Sequence, residues 1–193
     1  MKGQCMDPVE IVARVLRALN DLHVPYMIVG SLSSNMYGEP RMTKDADVVV
    51  QLGDTPLSAL LEKLGTDYQI DRQLGFETVT GTTRYHIRHV EDDFLVELFE
   101  LTSDLHNQQR FERRRETTFG GVKTYVPTAE DVLVQKLRWY RRGKPPKDIQ
   151  DAENVMEVQV GHLDLAYIRR WCDEHGTREL FEELLKAVEG RKL

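Results

Sequence analysis

Cysteine is scarce in this chain, and the two present follow no pattern. Cys5 and Cys172 lie far apart with no CxxC or Cys/His spacing around either. Neither a disulfide framework nor a structural zinc site is therefore expected, and the thiols read as reduced, in a cytoplasmic protein. Long apolar runs are missing too. The longest are short stretches such as 47–50, where even the first residue is charged, and nothing approaches the roughly 20 apolar residues needed to cross a bilayer. The N-terminus shows no apolar signal core, so no export is expected. Positive charge is not in excess. A formal net charge of -6 argues against a protein whose whole surface grips DNA or RNA, while leaving room for a local basic patch. Internal repeats and low-complexity tracts are absent.

What is present suits a folded domain. At 193 residues, 40% hydrophobic and 30% charged, the chain is long enough for one sizeable domain or a core with a helical appendage. Asp7 and Pro8 open a helix in which Ile11, Val12, Val15, Leu16 and Leu19 recur at helical spacing. Residues 25–29 read as a short buried strand ending at Gly30 and Ser31. A short helix over 32–37 follows, closed by Gly38. Residues 45–52 form a second, valine-rich strand. Thr55 and Pro56 open another amphipathic helix through Leu57, Leu60, Leu61 and Leu64, stopped by Gly65. Residues 82–90 and 94–101 read as two antiparallel strands, with Asp92 and Asp93 in a solvated turn that has no assigned role. Beyond Ser103 the chain turns polar and arginine-rich, and Gly120 with Gly121 turns a further hairpin ending at Val126 and Pro127.

From Thr128 onward the sequence predicts helices only. Thr128 with Asp131 is a capping pattern, and Val132, Leu133, Leu137 and Tyr140 follow at helical spacing. Residues 141–146 read as a loop, broken by glycine and two prolines. Helices near 147–158, 164–175 and 178–188 complete the chain. The expected fold class is α/β with a mixed sheet: a head over residues 1–126, and a helical C-terminal region, 127–193, packed on it.

Asp45 and Asp47 are the chemically pointed pair. Two carboxylates one residue apart on a strand share a face, roughly 7 Å apart along the backbone. Their charges repel, so burying that face without a cation is costly, and divalent metal ions would give the hard oxygen ligands a purpose. The alternative is an exposed strand end with both groups solvated. Gly30 and Ser31 lie between a strand and a helix, where free backbone N–H groups and the helix dipole attract phosphate; glycine permits close backbone approach and serine adds a hydroxyl donor. The plain alternative is a strand-to-helix turn with Ser31 as its cap.

Residues 30–47, GSLSSNMYGEPRMTKDAD, join these signals into one run that resembles the signature of the nucleotidyltransferase superfamily that includes polymerase beta. Within it, the layout of Tyr37, Gly38, Arg41, Thr43, Asp45 and Asp47 is similar to the abortive-infection AbiEii-type toxins and the MenT-type toxins. The resemblance implies a nucleotidyltransferase fold in which Gly30 and Ser31 hold the triphosphate and Asp45 and Asp47 hold magnesium, or manganese, beside it. It also implies a third acidic residue on a neighbouring strand. Glu97, inside the run FLVELF, fits that position, where the family more often has aspartate; the other reading is an ion pair with an arginine. In the tail, DVLVQKLR over 131–138 and KDIQD over 147–151 are similar to the same toxins, which implies a phosphate contact for Lys136 and a catalytic role for Asp148. The alternatives are a snorkelling surface lysine and a helix-start charge pair of Lys147 with Asp148. Arg41 is placed by the resemblance near phosphate, or else pairs with Glu39 or an aspartate. Thr43 is placed near the nucleotide, or else orients the acidic strand through its hydroxyl.

His86 and His89 alternate on a strand with no recognisable metal-ligand spacing and read as satisfied structural histidines. Trp139 and Tyr140 read as core. Arg110, Arg113, Arg114 and Arg115 read as a solvated face, or as a basic rim that guides RNA. The function expected is metal-dependent transfer of a nucleoside monophosphate from a nucleoside triphosphate to a tRNA or protein acceptor, as a toxin with a cognate antitoxin. The alternatives are a small-molecule nucleotidyltransferase of the antibiotic-modifying kind, and a non-catalytic nucleotide-binding regulator on the same fold.

Overall fold

The computed structural model describes residues 6–71, 75–77, 82–92, 94–143 and 145–191, with backbone only for 75–77. Cys5 and Asp93 lie outside the described residues. The chain divides into two units, Met1–Val29 with Thr43–Val126, and Gly30–Met42 with Pro127–Leu193.

In the first unit, helix α1 (Pro8–Asp21) begins where Asp7 accepts a hydrogen bond from the Val9 N–H at 3.0 Å, satisfying one of the donors that a helix start leaves unpaired. Its apolar stripe, Ile11, Val12, Val15, Leu16 and Leu19, is buried. Strand β1 (Tyr26–Val29), strand β2 (Asp45–Val50), helix α3 (Leu57–Leu64), and strands β3 (Tyr68–Ile70), β4 (Gly75–Glu77), β5 (Thr82–His89) and β6 (Leu95–Glu100) follow. They build one mixed sheet in the order β1-β2-β6-β5-β3, with β4 also on β5. The β2–β6 pair at its centre is parallel and the others are antiparallel. Helix α4 (Leu105–Glu112) and the hairpin of β7 (Arg115–Phe119) and β8 (Val122–Val126) complete the unit.

Alternation along the strands gives the sheet two different faces. Ile28, Ala46, Val48, Val96, Leu98 and Ile87 project to one face and are fully buried. On the other face Met27, Val49 and Phe99 are capped by Phe111 of α4 and Tyr125 of β8. That face turns polar one strand pair further along, at Asp47 and Glu97.

Three elements differ from the sequence reading. Helix α4 arises from the polar text LHNQQRFE, whose only large apolar buried side chain is Phe111. It forms because Asp104 caps it through the Asn107 N–H at 3.0 Å. Strands β3 and β4 are three residues each, too short for alternation to register. Asp92 is buried rather than solvated: its carboxylate lies 2.7 Å from His89 and accepts from the Met6 N–H. His89 is a structural histidine, packed edge-on against Tyr68.

The second unit holds helix α2 (Gly30–Tyr37) with α5 (Ala129–Gly143), α6 (Pro146–Gln159), α7 (Leu165–His175) and α8 (Arg178–Arg191). Helix α5 runs on through Gly143 and α6 begins at Pro146, so residues 141–143 and 146 of the expected loop are helical. Leu133, Leu137, Ala152, Val155, Met156, Ile168, Cys172, Phe181 and Val188 make its core. Gly38 is where α2 meets α6: a Cβ there would lie 2.9 Å from the backbone of Asn154 and Val155. No helix among the described residues is long and apolar enough to cross a membrane.

Candidate functional site

The first unit sets out a row of polar groups by register alone. Val29 of β1 pairs with Asp47 of β2, Asp47 with Glu97 of β6, and Glu97 with His86 of β5. Residues in register project to the same face, so Asp47, Glu97 and His86 stand side by side at the ~4.8 Å strand spacing. Asp45 lies two residues before Asp47 on that face. Its carboxylate is fixed by Thr43, whose hydroxyl lies 2.8 Å from Asp45 Oδ1 and 3.1 Å from the Asp45 carbonyl. Both aspartates are half-buried.

Glu97 contacts Arg84 and His86. Its Oε1 is 3.5 Å from Arg84 and 3.0 Å from His86 Nε2, the latter an ion-pair distance whose angle falls outside hydrogen-bond geometry. Among the described residues no three His, Cys, Asp or Glu side chains are grouped to hold a metal ion. His86 also lines a cavity of about 360 Å³ with Gln69, Ile70, Asp71 and Arg88.

The second unit carries the Gly-Ser turn. Gly30 has φ 61, the left-handed region that glycine enters without steric penalty, and this lets the chain turn from β1 directly into α2. Ser31 is buried, while Ser33 and Ser34 donate their hydroxyls back to the Gly30 carbonyl at 2.9 and 3.1 Å. Arg41 spans from this turn to α6. Its Nη2 donates to Ser31 Oγ at 2.8 Å, and its Nε and Nη2 form a fork on the Asp151 carboxylate at 2.7 and 2.9 Å. Asn35 holds the Arg41 backbone at both its N–H and its carbonyl.

Below this fork lies Lys136, only 3% exposed, with Nζ 3.0 Å from Asp148 and 2.8 Å from Asp151. The alternative of a snorkelling surface lysine does not hold, because Lys136 is buried and bonded to Asp148, which stands in the first turn of α6. Burial pushes the Asp151 carboxyl up, but hydrogen bonds and charge from Arg41 and Lys136 outweigh it and leave it below the usual carboxylate range. Arg41 does pair with an aspartate, one 110 residues away.

Of the residues singled out from the sequence, Thr43, Asp45, Asp47 and Glu97 stand in the first unit, and Gly30, Ser31, Arg41, Lys136 and Asp148 in the second. The chain passes between the units at Val29–Gly30, Met42–Thr43 and Val126–Pro127. Asp151 is the residue the sequence reading passed over. Its signal was the three-residue spacing from Asp148, which puts both carboxylates on one side of a helix.

The arginine cluster does not form a uniform rim. Arg110 is buried, and Arg114 lies 4.3 Å over the Phe111 ring and 5.2 Å from that of Tyr125 while donating to the Phe111 carbonyl.

Residues 8–184 match the family described as nucleotidyl transferase of unknown function (DUF2204). No curated protein matches the sequence. Among solved structures, the chain is similar to an antigenic nucleotidyltransferase-like protein from Paracoccidioides brasiliensis, at 19% identity, TM-score 0.59, over 95% of this chain and 94% of that one. It is similar to the antibiotic-resistance factor ANT(2'')-Ia at 15% identity, TM-score 0.57, over 95% and 96%. It is also similar to the lincosamide antibiotic adenylyltransferase LnuA, solved with lincomycin bound, at 16% identity, TM-score 0.51, over 81% and 99%. At these identities the likeness is one of fold. The matches bear out the nucleotidyltransferase superfamily and carry nothing specific to the toxin groups.

Proposed function

Because the chain belongs to the nucleotidyl transferase family DUF2204, we propose that it moves a nucleoside monophosphate from a nucleoside triphosphate to the hydroxyl of a small polar acceptor. The observation that carries this reading is the pair Asp45 and Asp47 on one face of the central strand, with Asp45 fixed by Thr43.

The donor set fits a divalent cation. Magnesium is bound through one or two carboxylates, with waters and substrate phosphates completing the shell, so a cage of three protein ligands is not required. Asp45 and Asp47 would hold it. Glu97 of β6 stands in register with Asp47 beside this pair, with Arg84 and His86 against its carboxylate. A divalent cation bound there supplies Lewis-acid charge at the phosphoryl oxygens.

The remaining work falls to side chains of the chain itself. In the second unit, Ser31 and Arg41 carry hydroxyl and guanidinium donors suited to phosphate, and the α2 N-terminus adds backbone N–H groups. Lys136 and Asp148 enter through the charge network beneath Arg41. The acceptor oxygen bonds the α-phosphorus, the bond to the β-phosphate breaks, pyrophosphate leaves, and the acceptor's proton passes to solvent. Holding the phosphates still is the main contribution such a site makes.

Two observations favour a small acceptor over tRNA. The polar depression at His86, about 360 Å³ and open to solvent, lies two strands, roughly 10 Å, from Asp47 along the same sheet row. The arginines at 110 and 114 are occupied within the unit, and the net charge of -6 opposes a polyanion. The fold likeness to antibiotic-modifying enzymes is consistent with this choice. The test is incubation with each labelled nucleoside triphosphate and magnesium, against total RNA in one arm and a panel of aminoglycosides, lincosamides and other polyhydroxylated compounds in the other. Label is expected in the small-molecule arm. Label in RNA alone would move the acceptor to RNA, and with it favour the toxin and antitoxin reading.

A further inference from the structure

We propose that Asp151 is a positioning residue for triphosphate binding, acting through Arg41 to hold the Ser31 hydroxyl as a donor. The inference rests on the reading of Ser31 and Arg41 as phosphate ligands, and adds a residue to which neither the sequence pattern nor that reading gave a part.

Four charges alternate in sign through one unit: Arg41, Asp151, Lys136, Asp148. Each inner member touches an opposite charge on both sides, and the set is neutral by formal count. That alternation allows Lys136, Asp148 and Asp151 to be buried at once, since a buried ion is tolerated only when paired and hydrogen-bonded. Asp151 is the branch point. One oxygen receives Arg41 Nε at 2.7 Å; the other receives Arg41 Nη2 at 2.9 Å and Lys136 Nζ at 2.8 Å. A two-point fork fixes the plane of a guanidinium, which a single contact cannot do.

With its plane fixed, Arg41 places Nη2 2.8 Å from Ser31 Oγ. A serine hydroxyl that accepts one hydrogen bond still has its own proton to donate. Arg41 therefore fixes one side of the Ser31 hydroxyl and leaves its O–H free to donate to an incoming oxygen. Without Asp151, Arg41 is a long side chain with rotamer entropy to lose before it can take this pose, and both Ser31 and the guanidinium lose their preset orientation.

The test is a double-mutant cycle on Arg41 and Asp151. The readouts are calorimetric affinity for each of the four ribonucleoside triphosphates and for inorganic tripolyphosphate, together with kcat and KM. Removing a hydrogen bond to a charged partner weakens binding by about ten-fold to hundred-fold. Arg41→Ala and Asp151→Asn are each expected to weaken triphosphate and tripolyphosphate binding within that range and to raise KM more than they lower kcat. The double variant is expected to lose about as much as Arg41→Ala alone, because the route from Asp151 to Ser31 runs through Arg41. Arg41→Lys is expected not to rescue, since an ammonium cannot form the fork.

Asp151→Asn leaves Arg41 and Lys136 facing one carboxylate; should it not fold, the double variant, which restores charge balance, carries the test through its comparison with Arg41→Ala. Unchanged affinity in Asp151→Asn, or a double variant whose loss equals the sum of the two singles, would overturn the proposal. A wild-type protein that binds no triphosphate would instead overturn the underlying function.

Discussion

Glu97 faces Asp47 in the register of the parallel β2–β6 pair, yet its carboxylate is held by His86 at 3.0 Å and Arg84 at 3.5 Å. The side chain best placed to be a third acidic ligand thus already has an arginine and a histidine against its carboxylate. Glu97→Gln is expected to behave as the loss of a supporting group, lowering transfer about ten-fold to hundred-fold with the magnesium requirement unshifted. Asp47→Asn is expected to remove transfer altogether. Titrating activity against magnesium for both variants decides the matter: a rise in the magnesium needed by Glu97→Gln would make Glu97 a ligand.

Thr43 is expected to act only through Asp45. Thr43→Val keeps the shape and removes the hydroxyl that contacts both the Asp45 carboxylate and its carbonyl. A hydrogen bond to a charged group is worth about 1.5–3 kcal/mol, so kcat/KM should fall by about ten-fold or more. The affinity for tripolyphosphate without metal should stay at the wild-type value. Equal losses in both measurements would show that the threonine serves the fold at large.

Asp151 gives the stability a pH signature of known sign. Its carboxyl is pushed up by burial but held down more strongly by Arg41 and Lys136, so its folded pKa lies below the unfolded value of about 3.9. A depressed carboxylate contributes stability that is fully present above the unfolded pKa and fades as pH falls through the folded one. Urea unfolding of the wild type and of Asp151→Asn between pH 7 and pH 3 should therefore show a gap that is widest near neutrality and narrows in acid. A constant gap would mean that the carboxylate charge is not what Arg41 and Lys136 stabilise.

Gly38 tests the seat of α2 on α6. An alanine methyl would lie 2.9 Å from the backbone of Asn154 and Val155, and backbone atoms cannot rotate away as a side chain can. Gly38→Ala is expected to destabilise the protein by about 1–3 kcal/mol, the usual cost of overpacking, seen as a lowered urea midpoint. A variant as stable as wild type would show that the helices part without penalty.

Much of this arrangement is written locally and was legible as such. The valine run after Asp45, the Gly30–Ser31 turn and the apolar stripes of α1 and α5 each announce their element through spacing of a few residues. The 45 and 47 positions share a face for the same reason. What stayed hidden depends on partners far along the chain. Arg41 and Asp151 are 110 residues apart, and no periodicity joins them. Lys136 sits in an apolar helix text that fits a snorkelling side chain as well as a buried one, and only the carboxylates of α6 decide between the two. Helix α4 went unread because its stripe is a single phenylalanine and its stability comes from the Asp104 cap.

The most direct measurement is magnesium-dependent binding of a nucleoside triphosphate, by calorimetry, to the wild type and to Asp45→Asn with Asp47→Asn. The pair of substitutions removes two charges and leaves shape and strand nearly unchanged. The expected result is magnesium-enhanced binding by the wild type, and in the double variant only the residual, metal-independent affinity of Ser31 and Arg41. Undiminished magnesium enhancement in the double variant would contradict the assignment of the metal to this strand, and with it the transfer reaction built on it.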